Sequence, residues 1–337
     1  MATKSLHWSS FPLTLAFLFL ALSITSCDGP TPTPEDGVSG PAWFVATTGE
    51  DTELCGEVSD RPCLTINYTI DKASEGDTIH VAAGTYQEYP FARGNAQAVY
   101  INGKSISIVG AGSENTFIEG RSDVIGHGVR VSNAHISLAD LTLQNASREA
   151  YYAALYLEIN ASAALENVTV RNSYYGIRVS HQSTGPLTLT NVTVTGNAGA
   201  GVLAHEVTTD ITGGEFSGNF SGLNLNGTVT IQGSTIQDNA YTGAAIGGTA
   251  TLTDVHITNN GNVEFGNPGL DVACGRVTVT GGEIHSNAKT GVWVRCTSAD
   301  LIMRGTSIHD NLGTGFSVRE GRADLTNVTI ANNGLNF

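Results

Sequence analysis

A short motif recurs after residue 140: an apolar residue, two variable positions, an asparagine, a short spacer, then a glycine followed by alternating apolar residues. The asparagines are Asn172, Asn197, Asn219, Asn239, Asn260, Asn287 and Asn311, with Asn333 opening one more unit. Their paired glycines are Gly176, Gly201, Gly222, Gly243, Gly269, Gly291 and Gly315. Successive asparagines stand 20 to 27 residues apart. A loose period in that range with β-branched flanks excludes an ordinary globule and marks a solenoid, in which each unit buries its apolar face against its neighbours.

Within one unit, Leu187 to Ala204, apolar residues alternate with threonine, as expected of a strand with one buried face. The alternation breaks at Asn191, Asn197 and Gly201, which predicts three short strands per coil separated by bends. The residue at the first bend is Asn167, Asn191, Gly213, Gly233, Asp254, Gly281, Gly305 and Asn327 in successive units. A column restricted to Asn, Gly and Asp predicts one left-handed backbone conformation repeated coil after coil. The Asn197 column is expected to bend the chain too, with its amides bonding to the coils above and below. Stacked coils set equivalent residues ~4.8 Å apart in parallel strands, and no helical segment between them allows a βαβ arrangement. The inward file is Ile177, Val202, Leu223, Ala244, Leu270, Val292 and Phe316.

This pattern resembles the pectin-lyase-like, right-handed parallel β-helix superfamily. The stretch Phe44 to Asp51, Cys55-Gly56, Pro62-Cys63, Thr65-Ile66, and Gly76-Asp77-Thr78-Ile79 to Gly84-Thr85-Tyr86 is similar to the N-terminal cap and first coil of bacterial surface members. The resemblance implies an all-β, single-stranded, right-handed parallel β-helix, and supplies the handedness. It covers nearly all of the chain from about residue 43 onward. Ile66, Ile70 and Ala73 fall at helical spacing and predict a short helix capping the N-terminal end. The other end, at Phe337, stops partway through a unit, which leaves open self-coverage, truncation or an assembly role through that edge.

Residues 1–26 read as a secretory signal: Lys4, then an apolar run through Phe17 to Leu22. Ile24-Thr-Ser-Cys27 fits a lipobox, making Cys27 the expected lipidation site of a bacterial lipoprotein; the alternative is an ordinary cleaved signal. Residues 27–42 are a Pro- and acid-rich tether, and residues 43–337 the β-helix domain. These features predict a lipid-anchored location in the bacterial envelope, periplasmic or at the cell surface. Of the remaining cysteines, Cys55 and Cys63 are expected to pair within the cap. Cys274 and Cys296 each lie five residues after a motif glycine in adjacent coils, within disulfide reach. Two stacked buried thiols are the alternative there.

The formal charge is −15, and loss of residues 1–26 with Lys4 makes it one unit more negative. So acidic a body excludes nucleic acid as a partner and repels polyanionic sugars unless a local basic strip or a cation intervenes. In the resembling superfamily, active sites lie on the outer face of the strand that follows the motif glycine. Two candidate patches fall on that face. One joins Tyr156, Glu158, Arg178 and His205, with Arg178, Glu158 and His205 as candidate catalytic groups. The other joins Asp271, Trp293, Arg295 and Arg319, with Tyr156 added to these as candidate substrate-binding residues. Ala245 and Gly247 make a shallow floor between the patches. Rings beside polar groups suit a polysaccharide; scattered ion pairs on a solvated face are the alternative.

Hydrolysis of a glycoside calls for two carboxylates ~5 to 9.5 Å apart, and Glu158 has no acidic partner nearby. Gly126-His127-Gly128 matches one polygalacturonase motif, but that family's Asn-x-Asp, Asp-Asp and Arg-x-Lys are missing. A lyase of this resemblance would use Ca²⁺ on stacked acids with Arg178 as base; otherwise no cofactor is expected. His285 and His309 occupy matching positions as a surface column or, less in keeping with two ligands, a metal pair. The reading that follows is an anchored, non-catalytic glycan-binding, adhesion or scaffold protein. The alternatives are a lyase or hydrolase of uronic-acid polymers, and an assembly module.

Overall fold

The computed structural model describes residues 41–337, apart from residues 89, 90, 93, 94, 122, 263, 265 and 266; for residues 91, 92, 95 and 96 it describes backbone only. The expected signal segment, Cys27 and nearly all of the tether lie outside the described residues. Among the described residues, no helix is long and apolar enough to cross a membrane.

The body is a parallel β-solenoid with three strand-bearing faces. Among the described residues, a short-strand face holds eleven three- to four-residue strands, from Gly84–Tyr86 to Thr329–Ala331. A second face, which carries the site, holds the strands after the motif glycine, such as Gly126–Ser132, Ala153–Leu157 and Tyr175–Val179. The third holds Ile106–Val109, His135–Ala139, Ser162–Glu166 and Leu187–Thr190. Three separate strands per coil therefore hold only in the early coils. From Ala200–Thr212 onward the site face and the third face fuse into single strands such as Ser221–Gln232 and Val292–Arg304. Ala200–Thr212 pairs with Tyr175–Val179 at its start and Leu187–Thr190 at its end, which joins the two faces into one sheet.

The corners explain the repeat. At the first bend, Asp140, Asn167, Asn191, Gly213, Gly233, Asp254, Gly281, Gly305 and Asn327 all have φ between 50° and 66°. The second bend differs from expectation by one residue. The left-handed positions there are Asn145, Asn172, Gly196, Gly218, Asp238, Asn259, Ser286, Asp310 and Asn332. The asparagine that follows points inward instead. Asn197 donates its backbone N–H and Nδ2 to Asn219 Oδ1 at 3.1 and 2.9 Å, and Asn219 does the same to Asn239. This ladder continues through Asn260, Asn287 and Asn311 to Asn333. Its Asn197–Asn311 members are at most 2% exposed, so the stack satisfies amide groups that would be costly to bury alone. Asn172 is not a rung. Ser173 stands in register with Asn197 and accepts that role, because Asn172 occupies the turn.

The motif glycine has its own cause. A Cβ at Gly222 would meet Gly243 O at 2.5 Å and Asn239 Nδ2 at 2.9 Å. Coil, ladder and glycine thus pack as one unit. The inward file from Ile177 to Phe316 is in register and buried throughout. The cap helix spans Ile66–Lys72 with Thr65 as N-cap, and buries Ile66 and Ile70. The Glu88 carboxylate accepts from the N–H groups of Ile66 and Asn67, satisfying two free donors of the first turn. Both expected disulfides form, Cys55–Cys63 and Cys274–Cys296, the latter bridging adjacent coils with Cα atoms 5.3 Å apart.

Candidate functional site

The outward column of the site face runs Tyr100, Arg130, Tyr156, Arg178, Leu203, Asn224, Ala245, Asp271, Trp293 and Ser317 in register. Its early part is a cluster of rings and guanidinium groups. Arg130 is 3% exposed and forms a two-bond ion pair with Glu158, Nη2 to Oε1 at 2.6 Å and Nε to Oε2 at 3.2 Å. The Arg178 guanidinium lies 5.4 to 5.9 Å from the rings of Tyr151, Tyr156 and Tyr175, and donates to the Tyr151 carbonyl. His127 stacks on Tyr156 at 4.4 Å and leans on Tyr152. Its Nδ1 accepts from the Ala153 N–H, and burial beside Arg130 and Arg178 pushes its pKa down to about 3. This imidazole is therefore neutral under all ordinary conditions. Two buried atoms of the cluster, Arg130 Nη1 and the Tyr100 hydroxyl, have no hydrogen-bond partner among the described residues.

The later part is concave. A trough of about 520 Å³ opens between His205 and Arg295, floored by Ala245 and Gly247. Asp271 and Trp293, neighbours in register, form one side of it. Arg295 Nε donates to both oxygens of Asp271, at 2.7 and 2.9 Å. Asp271 is 7% exposed; burial raises its pKa while the Arg295 bond and charge oppose that rise. Asn224, Asn226, Tyr241 and Asn267 add to the polar lining. Asn267 is 8% exposed, and its Nδ2 has no hydrogen-bond partner among the described residues. Phe220 stacks on Tyr241 at 4.9 Å and braces that ring. A second cleft, about 650 Å³, lies by Glu119, Arg121 and Arg148, but Arg121 pairs with Asp123 and Glu119 accepts from Asn145.

The structure redistributes the sequence candidates. Tyr156 and Arg178 meet, and Glu158 joins them through Arg130 rather than directly. His205 does not belong with them: its Nε2 is 3.1 Å from Asn224 Oδ1 and it lines the trough. Asp271, Trp293 and Arg295 share that trough. Arg319 is exposed and does not line it, because register shifts around Arg295 place Glu320, not Arg319, opposite that residue. His127 was signalled only as part of Gly126-His127-Gly128, and Tyr241 and Asn267 not at all, since they sit in spacers between motif asparagine and glycine.

The coils, corners and cap define a right-handed parallel β-helix of the pectin-lyase-like superfamily. Within it, the chain belongs to the periplasmic copper-binding protein (NosD) family, whose model matches residues 70–268. A model for a right handed beta helix region matches residues 209–336. Among solved structures, the A-module of Azotobacter vinelandii mannuronan C-5 epimerase AlgE4 is similar, with a TM-score of 0.52 and 15% identity over 80% of this chain and 91% of that one. The AlgE6 A-module of the same organism gives 0.49 and 19% over 75% and 74%. Pectate lyase Pel9A gives 0.47 and 14% over 88% and 80%. At these identities the likeness is one of fold. No curated protein matches.

Proposed function

We propose that the protein is an envelope β-helix, anchored through a lipidated Cys27 after removal of residues 1–26, that binds a glycan in the His205–Arg295 trough without transforming it. The observation that carries this is the trough itself: rings at Trp293 and Tyr241 flank amide, imidazole and carboxylate groups around a side-chain-poor floor. Rings stack on the apolar faces of sugars while the polar groups take hydroxyls. The family's description, periplasmic, supports an extracytoplasmic place for the β-helix, and the two disulfides suit an oxidising compartment.

The lining argues for binding over hydrolysis. Among the described residues, Asp271 is the one carboxylate lining the trough, already held by Arg295, whereas glycoside hydrolysis takes a pair ~5 to 9.5 Å apart. Copper, which the family's description names, finds poor donors. Among the described residues the one convergent group of three is Asp51, Cys55 and Cys63, and those sulfurs are bonded to each other. His285 and His309 stack at 4.9 Å, with Nδ1 of each engaged by the next residue's side chain, and supply two ligands. These residues do not make a copper centre, and no step is derived through a metal.

A glycan array probed with the full-length chain tests the reading. Binding to at least one polysaccharide, with no new reducing ends or unsaturated products, is expected. Absence of binding, or turnover of a bound polymer, contradicts it. Metabolic lipid labelling that survives Cys27→Ser would remove the anchor.

A further inference from the structure

We infer that the trough is built for a neutral glycan and rejects polyuronates; this rests on the carbohydrate reading of the same trough. Its charged groups cancel. Among the described residues, Arg295 is the one guanidinium lining it and Asp271 the one carboxylate, and Arg295 Nε is bonded to both oxygens of Asp271. Asp271 is 7% exposed, so a uronate that took Arg295 for itself would strand a buried carboxylate. A uronate that left the pair intact would reach only the Nη groups of Arg295, whose charge Asp271 already offsets, on a chain of formal charge −15.

The remaining polar groups match uncharged partners. Asn224 and Asn226 each offer a donor and an acceptor, as a sugar hydroxyl does. Asn267 supplies the independent pointer to a ligand. It is 8% exposed, it lines the trough, and its Nδ2 donor has no hydrogen-bond partner among the described residues. A buried donor left unmade is costly, and a hydroxyl or acetamido oxygen of a neutral sugar satisfies it. Trp293 and the Phe220-braced Tyr241 supply ring faces that need no charge on the ligand.

The test is calorimetric titration of the full-length chain with two probe sets at low and physiological salt. One set is neutral, β-1,4-glucan, β-1,3-glucan and chitin oligomers; the other is charged, oligogalacturonate and oligomannuronate. The inference expects a neutral probe to bind with salt-insensitive affinity, and the uronates at least about ten-fold more weakly. Asn267→Ala should weaken the neutral probe by about ten-fold with the melting temperature unchanged. Asp271→Asn, which frees Arg295, should bring uronate binding up; if that variant fails to fold, Ala245→Arg adds the same unpaired cation at the floor. Uronates binding the wild type as tightly as neutral probes, with affinity falling as salt rises, overturn the inference and leave the carbohydrate reading standing. Binding of neither set sinks both.

Discussion

The ring cluster around Arg130 and Arg178 and the trough between His205 and Arg295 share one outward column, yet they use their side chains differently. In the cluster the polar groups are largely spent on one another. Arg130 holds Glu158, Arg178 lies against three tyrosine rings, and His127 is sandwiched among Tyr152, Tyr156 and the Ala153 N–H. In the trough, small residues at Ala245 and Gly247 withdraw the floor, and the groups around it face a cavity. Both regions are rich in aromatic and charged residues. Concavity, rather than composition, separates a recognition site from a brace.

That distinction can be broken in order of expected size. Glu158→Ala should cost the fold about 3–5 kcal/mol, because it leaves the Arg130 guanidinium buried and uncompensated; chemical denaturation measures this, and glycan affinity should not move. Acid comes next. His127 has its pKa lowered from 6.5 to about 3, so the unfolded chain takes up its proton first. Its contribution is fully present above pH 6.5 and is lost as pH falls from there toward 3, at about 1.4 kcal/mol per pH unit. His127→Phe should flatten that part of the stability–pH curve. In the trough, Trp293→Ala should weaken glycan binding by about ten-fold while changing stability little, since the ring is only half-buried. Arg178→Ala is the smallest change. Loss of its half-buried cation–π contacts should cost about 1 kcal/mol of stability and leave binding intact. An effect of Glu158→Ala or Arg178→Ala on binding, or of Trp293→Ala on stability alone, would reverse the roles assigned to the two regions.

What could be read from the chain follows the same division. The first corner was legible because a left-handed backbone restricts side-chain type, and every expected member has positive φ. The second corner was misplaced by one residue. Its turn position also takes asparagine, as at Asn172, Asn259 and Asn332, so sequence alone does not tell the turn from the ladder rung beside it. The motif spacing points to Asn172 as a rung where Ser173 stands. The outward column was legible wherever coils keep register, which brought Asp271, Trp293 and Arg295 together. It failed at Arg319, where the chain around the Cys274–Cys296 bridge slips its pairing. Tyr241 and Asn267 were invisible because they sit in irregular spacers, where no period constrains them. Their contribution depends on which way the loop folds over the face.

Trp293 offers the most direct measurement. The chain has three tryptophans: Trp8 in the expected signal, Trp43 bonded to Asp77 in the cap, and Trp293 in the trough. Titration of the full-length Trp43→Phe variant with the glycan that binds best should give a saturable change in tryptophan emission whose midpoint equals the calorimetric Kd. That change should vanish in Trp43→Phe/Trp293→Phe. Tight binding with Trp293 emission unmoved, and abolished instead by Tyr156→Ala, would put the ligand on the ring cluster and contradict the account.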